Sequence, residues 1–166
     1  EVGAIANSGA LARAARAAGV PVVHATAESL PDRFGANRNA RLFHGARAQG
    51  VGTAPGSESV APVPEVYEPG DVVLPRYHGL SPITGTQLDS LLRNAGITNV
   101  VIVGVSLNVA IPNTVFDLVN RGYQVVLPDD AVAGVPVDYG RAVVTNTLSL
   151  LATVVATADI VTAWTT

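Results

Sequence analysis

The sequence predicts an α/β fold, a three-layer, doubly wound parallel sheet of the Rossmann-like kind, with residues 1–166 forming one domain. Three observations predict it. Apolar strand-like runs alternate with amphipathic helical stretches, the order that builds βαβ units. One run, Asn99-Val100-Val101-Ile102-Val103-Gly104-Val105, is almost wholly apolar, as strands buried on both faces of a parallel sheet are. Gly or Pro stands at most of the boundaries, where a helix or strand has to stop.

Taken in order, Ser8 to Ala18 is an Ala-rich helix with Ser8 as N-cap and Gly19 just past its end. Val20-Pro21-Val22-Val23-His24-Ala25 follows as a buried, β-branched strand. Asn39 to Gln49 reads as a helix with Leu42, Phe43 and Ala46 facing inward. Residues 50–70, punctuated by Pro55, Pro62, Pro64 and Pro69, read as a long loop, and such loops are often functional or oligomer-forming. Asp71 to Pro75 is a short strand. Thr84 to Asn94 is a helix with Leu88, Leu91 and Leu92 at helical spacing and Gly96 at its end. After the Asn99–Val105 strand come a helix over Asn113–Asn120, a strand over Tyr123–Pro128 and a long helix over Tyr139–Val155. Asp159-Ile160-Val161 is a final short strand or the start of a helix. Ligands of such sheets bind beyond the carboxyl ends of the strands. The segments after Ala25, Leu74, Val105 and Leu127 are therefore where chemistry is sought.

Composition excludes several classes of function. The chain has no Cys and no Lys, and all ten basic side chains are Arg. A thiol nucleophile, disulfides, zinc–cysteine sites and Schiff-base chemistry are thereby absent from it. Thirteen acids and ten arginines give a net charge of −3 with no basic run, which argues against a nucleic-acid partner. No apolar stretch approaches the roughly 20 residues of a membrane helix. The expectation is a cytoplasmic protein that binds a small molecule and needs no cofactor or metal.

Four motifs in series then carry a resemblance. They are Ala17-Ala18-Gly19-Val20-Pro21-Val22-Val23-His24, Gly85-Thr86-Gln87-Leu88-Asp89-Ser90-Leu91-Leu92-Arg93, Gly104-Val105-Ser106-Leu107-Asn108-Val109-Ala110-Ile111 and Arg121-Gly122-Tyr123-Gln124-Val125-Val126-Leu127-Pro128-Asp129-Asp130-Ala131. Together they resemble the isochorismatase-like, or cysteine hydrolase, superfamily over about residues 5 to 164, in the family's order. The resemblance implies a strand that turns directly into a helix at a nucleophilic Cys. There the helix N-terminus favours a thiolate. An Asp on the first strand and a Lys on a middle strand manage protons, and a cis peptide before the Cys helps to aim an oxyanion hole.

Carried over residue by residue, the resemblance puts Ala110 at the nucleophile's position, and the Lys position falls near Leu74 or Tyr77. Val105-Ser106 matches the cis peptide, and the N–H groups of Ser106 and Ala110 match the oxyanion hole. The Asp-bearing first strand has no counterpart in this sequence and is expected upstream of Glu1. In the family's order that strand is central, between the strands at Val22 and Val101. Without it two ladders would be left unmade, at on the order of 1–3 kcal/mol per buried hydrogen bond. The folded protein is therefore expected to include an upstream segment or to borrow a strand. The resemblance also implies a homo-oligomer, with the Gly/Pro-rich segment and Trp164 as interface material.

Candidate site residues follow from these placements. Arg76, Tyr77 and His78 trail the strand ending near Leu74 and could form a cationic, acid–base cluster in place of the Lys. The alternative is that Arg76 pairs with an acid and Tyr77 packs under the next loop. Ser106 and Thr114 are the hydroxyls nearest Ala110, and a serine nucleophile would need His78 as its base. Asn108 either binds ligand or caps the helix that follows. Asp130 is expected to cap a turn, Ser81, Thr84 and Thr86 to cap the helix near Thr84, and His24 to be a core or loop-capping residue. His44 is assigned no role, and the three histidines have no metal spacing.

Three functional readings remain open. The first is a Cys-lacking hydrolase with a small-molecule pocket around Arg76, Tyr77, His78, Ser106, Asn108 and Ala110, working by acid-assisted hydrolysis with a carboxylate from the strand expected upstream, and with His78 as a weak catalytic candidate within this sequence. The second is an inactive scaffold that binds a small molecule or assembles with partners. The third takes Ala110 as a replacement for a working Cys, and the lack of any Lys argues against it.

Overall fold

A computed structural model describes residues 3–48 and 53–165. The first helix, α1 (Ala4–Ala17), begins earlier than expected, behind Gly3. Ser8 is therefore no N-cap; it is buried in mid-helix and its hydroxyl donates to the Ala131 carbonyl at 3.5 Å. Helix-forming Ala4 and Ala6 extend the periodic run backwards, so nothing forces a start at Ser8. The far end is as expected. Gly19 has φ +71°, its N–H reaches the Arg16 carbonyl and that of Val20 reaches Ala15, a Schellman closure.

β1 (Val23–Ala27) and β2 (Val72–Arg76) pair in parallel from Val23↔Val72 to Ala27↔Arg76. Between them lies α2 (Arg41–Ala48), and Leu42 on it is 54% exposed rather than inward. The side chain of Ala46 and the expected helix end at Gln49 lie outside the described residues. α3 is shorter than expected, Leu88–Asn94, because Thr84 to Gln87 form turns; Leu88 and Leu92 are buried while Leu91 stays exposed.

The Asn99–Val105 run is two strands, β3 (Asn99–Val101) and β4 (Gly104–Val105). β5 (Gln124–Pro128) pairs with both β3 and β7 (Thr153–Val155), and β4 pairs with β6 (Val132–Ala133), all in parallel. α4 (Ala110–Asn120) starts ahead of Pro112, which the first turn tolerates. α5 covers only Val137–Asn146, and α6 covers Thr157–Thr165. The expected helix to Val155 is thus overturned at its second half. A 3₁₀ turn over Leu148–Leu150 leads into β7. β-branched Thr153, Val154 and Val155 suit a pleated surface, and no Gly or Pro marks the change.

Two cores make the three layers. On one face, Ile102, Val125 and Leu127 meet Leu92 of α3, Val115 and Leu118 of α4, and Val144 of α5. On the other, Val101, Val103, Val126 and Val155 meet Leu11 of α1 and Ile160 and Trp164 of α6. Successive strand residues go to opposite faces, as the period of two demands. Contrary to expectation, Asn99–Val105 is not buried throughout: Val100 and Val101 are half-buried and Val105 is 70% exposed. The cause is in the pairing. β1–β2, β3–β5–β7 and β4–β6 are separate ladders, and among the described residues no hydrogen bond joins β1 to β3.

Candidate functional site

Parallel strands deliver their following loops to one end, and the register puts Arg76 opposite Ala27 at the carboxyl end of β1 and β2. Arg76 is partly buried, which pushes its guanidinium below its ordinary pKa. It wraps its own turn, donating through Nη1 to the carbonyls of His78 (3.5 Å) and Gly79. Tyr77 is half-buried and His78 exposed. The His78 ring lies against Gly85, where a Cβ would come within 2.4 Å of its Cε1. Gly85 has φ +78°, so glycine suits both the turn and the contact.

The second candidate group lies on the loop from β4 into α4. The Val105–Ser106 peptide is cis, as the resemblance implies. Leu107 donates its N–H to the Ala133 carbonyl at 2.8 Å, Val109 and Ile111 donate theirs to Ser106, and Asn113 donates to Val109. Pro112 has no N–H to give. Among the described residues, the N–H groups of Ser106 and Ala110 have no acceptor. An N–H left open where a helix begins is a ready partner for a negatively charged oxygen.

The side chains around this loop are committed elsewhere. The Asn108 amide accepts from the Val135 N–H at 2.9 Å and donates to the Val135 carbonyl at 2.5 Å, so it braces the β6–α5 connection. Gly134 permits that approach, since a Cβ there would fall 2.9 Å from Leu107 Cβ. Thr114 donates its hydroxyl back to the Ala110 carbonyl at 2.7 Å. Ser106 and Ala110 are half-buried. Ile83, beyond the His78 turn, shares a core with Leu107 and Ile111, which links the two groups through packing.

Other expected residues have structural partners. Asp130 accepts from the Thr157 N–H and hydroxyl at 3.0 and 2.7 Å at the start of α6. Thr86 accepts from the Leu88 N–H at 3.2 Å, and Ser81 from that of Ile83 at 3.1 Å. Thr84 instead donates to Asp117 of α4. His24 meets Asp71 at the opposite, amino end of the sheet, 2.7 Å from its carboxylate. Asp71 also accepts from Arg16 (2.9 and 2.6 Å) and the Glu68 N–H, and Arg16 foremost holds it well below the usual carboxylate range. Residue spacing gave no sign of this cluster, because its members come from three separate segments. Among the described residues no group of three or more His, Asp or Glu could hold a metal, and no helix is long and apolar enough to cross a membrane.

Comparison with known proteins converges on one family. The isochorismatase domain description matches residues 2–159. The ureidoacrylate amidohydrolase RutB of Rhizobium rhizogenes is 33% identical over 143 residues, which are 78% of this chain and 57% of that protein. The RutB of Agrobacterium fabrum is also 33% identical over 143 residues, 78% of this chain and 61% of its own length. The chain thus spans less than two-thirds of these relatives. An isochorismatase family protein from Burkholderia thailandensis superposes with a TM-score of 0.83 at 28% identity, over 98% of this chain and 83% of that one. The N-carbamoylsarcosine amidase of Thermoplasma acidophilum shares the fold, with a TM-score of 0.73 at 24% identity over 93% and 82% of the two chains.

Proposed function

Since the chain belongs to the isochorismatase family, we propose that it is a small-molecule hydrolase that works without a covalent thiol intermediate. The ligand would lie at the carboxyl end of the sheet, between the Arg76–His78 turn and the Ser106–Ala110 loop. One observation carries this reading: the open N–H groups of Ser106 and Ala110, beside a methyl group. Two such donors stabilise an oxygen that gains negative charge as a carbonyl is attacked.

A methyl group cannot attack, so the nucleophile is water, and the leaving group must be protonated as its bond breaks. His78 is this chain's candidate acid, exposed at the same end of the sheet, and an imidazole is suited to proton transfer near neutral pH. The names of the RutB relatives favour an amide or urea-like substrate.

A second reading, a binding scaffold without turnover, draws support from the commitment of Asn108 to Val135 and of Thr114 to Ala110. Hydrolysis of ureidoacrylate and simple amides by the wild-type protein tests the choice, together with mass spectrometry for covalent adducts. The hydrolase reading expects turnover above a buffer blank, no adduct on the wild type, and slower turnover by folded His78→Gln. No turnover by a folded wild type, with no acyl adduct on Ala110→Cys, leaves the scaffold.

A further inference from the structure

A concavity of about 50 Å³ opens beside the turn after β2, lined by Arg33, Ala36, Asn37, Arg38, Phe43 and His44. The guanidinium groups of Arg33 and Arg38 and the His44 imidazole share that lining with the Phe43 ring. A cavity of roughly 10–15 Å³ holds one water by a comparable measure. The space therefore takes a group of a few heavy atoms, such as one end of a small ligand.

Its walls are set by costly geometry. Asp32 and Arg33 both lie in the left-handed region, at φ +54° and +53°, where non-glycine residues are strained. They follow Pro31 and turn the chain so that Arg33 lines the concavity. Asn37 fastens the far wall to the candidate site: its Oδ1 accepts the Gly79 N–H at 2.7 Å, and Gly79 also receives Arg76. The near end is tied by the Glu28 N–H to the Arg76 carbonyl at 2.9 Å and the Ser29 N–H to Thr53 at 2.7 Å.

We propose that this concavity is a carboxylate-binding subsite, in which Arg33, Arg38 and His44 hold the anionic end of a small substrate while Phe43 covers its carbon skeleton. The guanidinium fork matches a carboxylate in shape and charge. The tie through Asn37 keeps the subsite next to the turn that bears His78. Its role for a substrate rests on the hydrolase reading; its affinity for a carboxylate does not.

Amide chemical-shift titration of the protein with acrylate, with acrylamide of nearly the same size and with inorganic phosphate tests the subsite. Acrylate is expected to shift Ala36, Asn37, His44 and Gly79 saturably, acrylamide to leave them in place, and phosphate to bind more weakly than acrylate. Arg33→Gln and Arg38→Gln, each folded by the same spectra, are expected to weaken acrylate about tenfold. Equal responses to acrylate and acrylamide, tighter binding of phosphate, or unchanged affinity in both variants would overturn the assignment. Saturable acrylate binding without turnover keeps the subsite and removes the hydrolase reading. Turnover of amides with no acrylate response does the reverse.

Discussion

His78 and Gly85 show how much a single position can decide. The imidazole rests where any side chain at 85 would stand, and Gly85 is in the left-handed region. Gly85→Ala is expected to cost about 1–2 kcal/mol and to swing the ring away, so that turnover falls although His78 is intact. Denaturant melts and the His78 ring resonances check the two effects separately. Asp71 sets a different expectation. Its carboxyl is held far below the roughly 3.9 of an unfolded Asp, chiefly by Arg16 and also by the Glu68 N–H and His24. A depressed folded value means that its contribution is complete above the unfolded value and fades as the pH falls below about 4 toward the folded one. Asp71→Asn is expected to lower stability at pH 7 by about 2 kcal/mol and to flatten the decline below pH 4. Chemical denaturation across that range measures both.

Among the elements, the loop from β4 to α4 is held from outside. Asn108 grips Val135 with both ends of its amide, and Gly134 lets Leu107 approach. Asn108→Ala is therefore expected to cost about 1–2 kcal/mol and to loosen the loop, read as faster amide exchange at Leu107 and Ile111, whose N–H groups are bonded to Ala133 and Ser106. Legibility also differed from element to element. Where Gly or Pro stops a periodic run, as Gly19, Gly96 and Gly122 do, the sequence located the boundary to within a few residues. Between Val143 and Val155 no such stop exists. A helix, a 3₁₀ turn and β7 follow one another there, and only the run of β-branched Thr153, Val154 and Val155 distinguishes the strand. The positions of Arg76 and Ser106 at the carboxyl end were readable from strand order. The grip of Asn108 on Val135 and the approach of Asn37 to Gly79 were not, because each joins segments whose contact depends on loop paths that no periodicity records.

Across the whole molecule, protection should follow the ladders. Among the described residues, β5 has a partner on each side, while β1 pairs only with β2 and β3 only with β5. Hydrogen exchange is expected to be slowest at Val125, Val126 and Leu127 and markedly faster along β1, although β1 and β5 have the same strand length. Uniform protection across both would contradict the divided pairing. The fold class was legible because it depends on the order of elements and on the alternation that sends Val101 and Val126 to one core and Ile102 and Val125 to the other. The division was legible only through the resemblance, since hydropathy marks a strand without naming its neighbours.

That division has a cost in solution behaviour. Rows of main-chain donors and acceptors along β1 and β3 lack mates within the described residues, and bare strand margins of this kind recruit other polypeptides. The melting temperature of the isolated chain is therefore expected to climb with protein concentration, because whatever docks along those margins stabilises the native form by mass action.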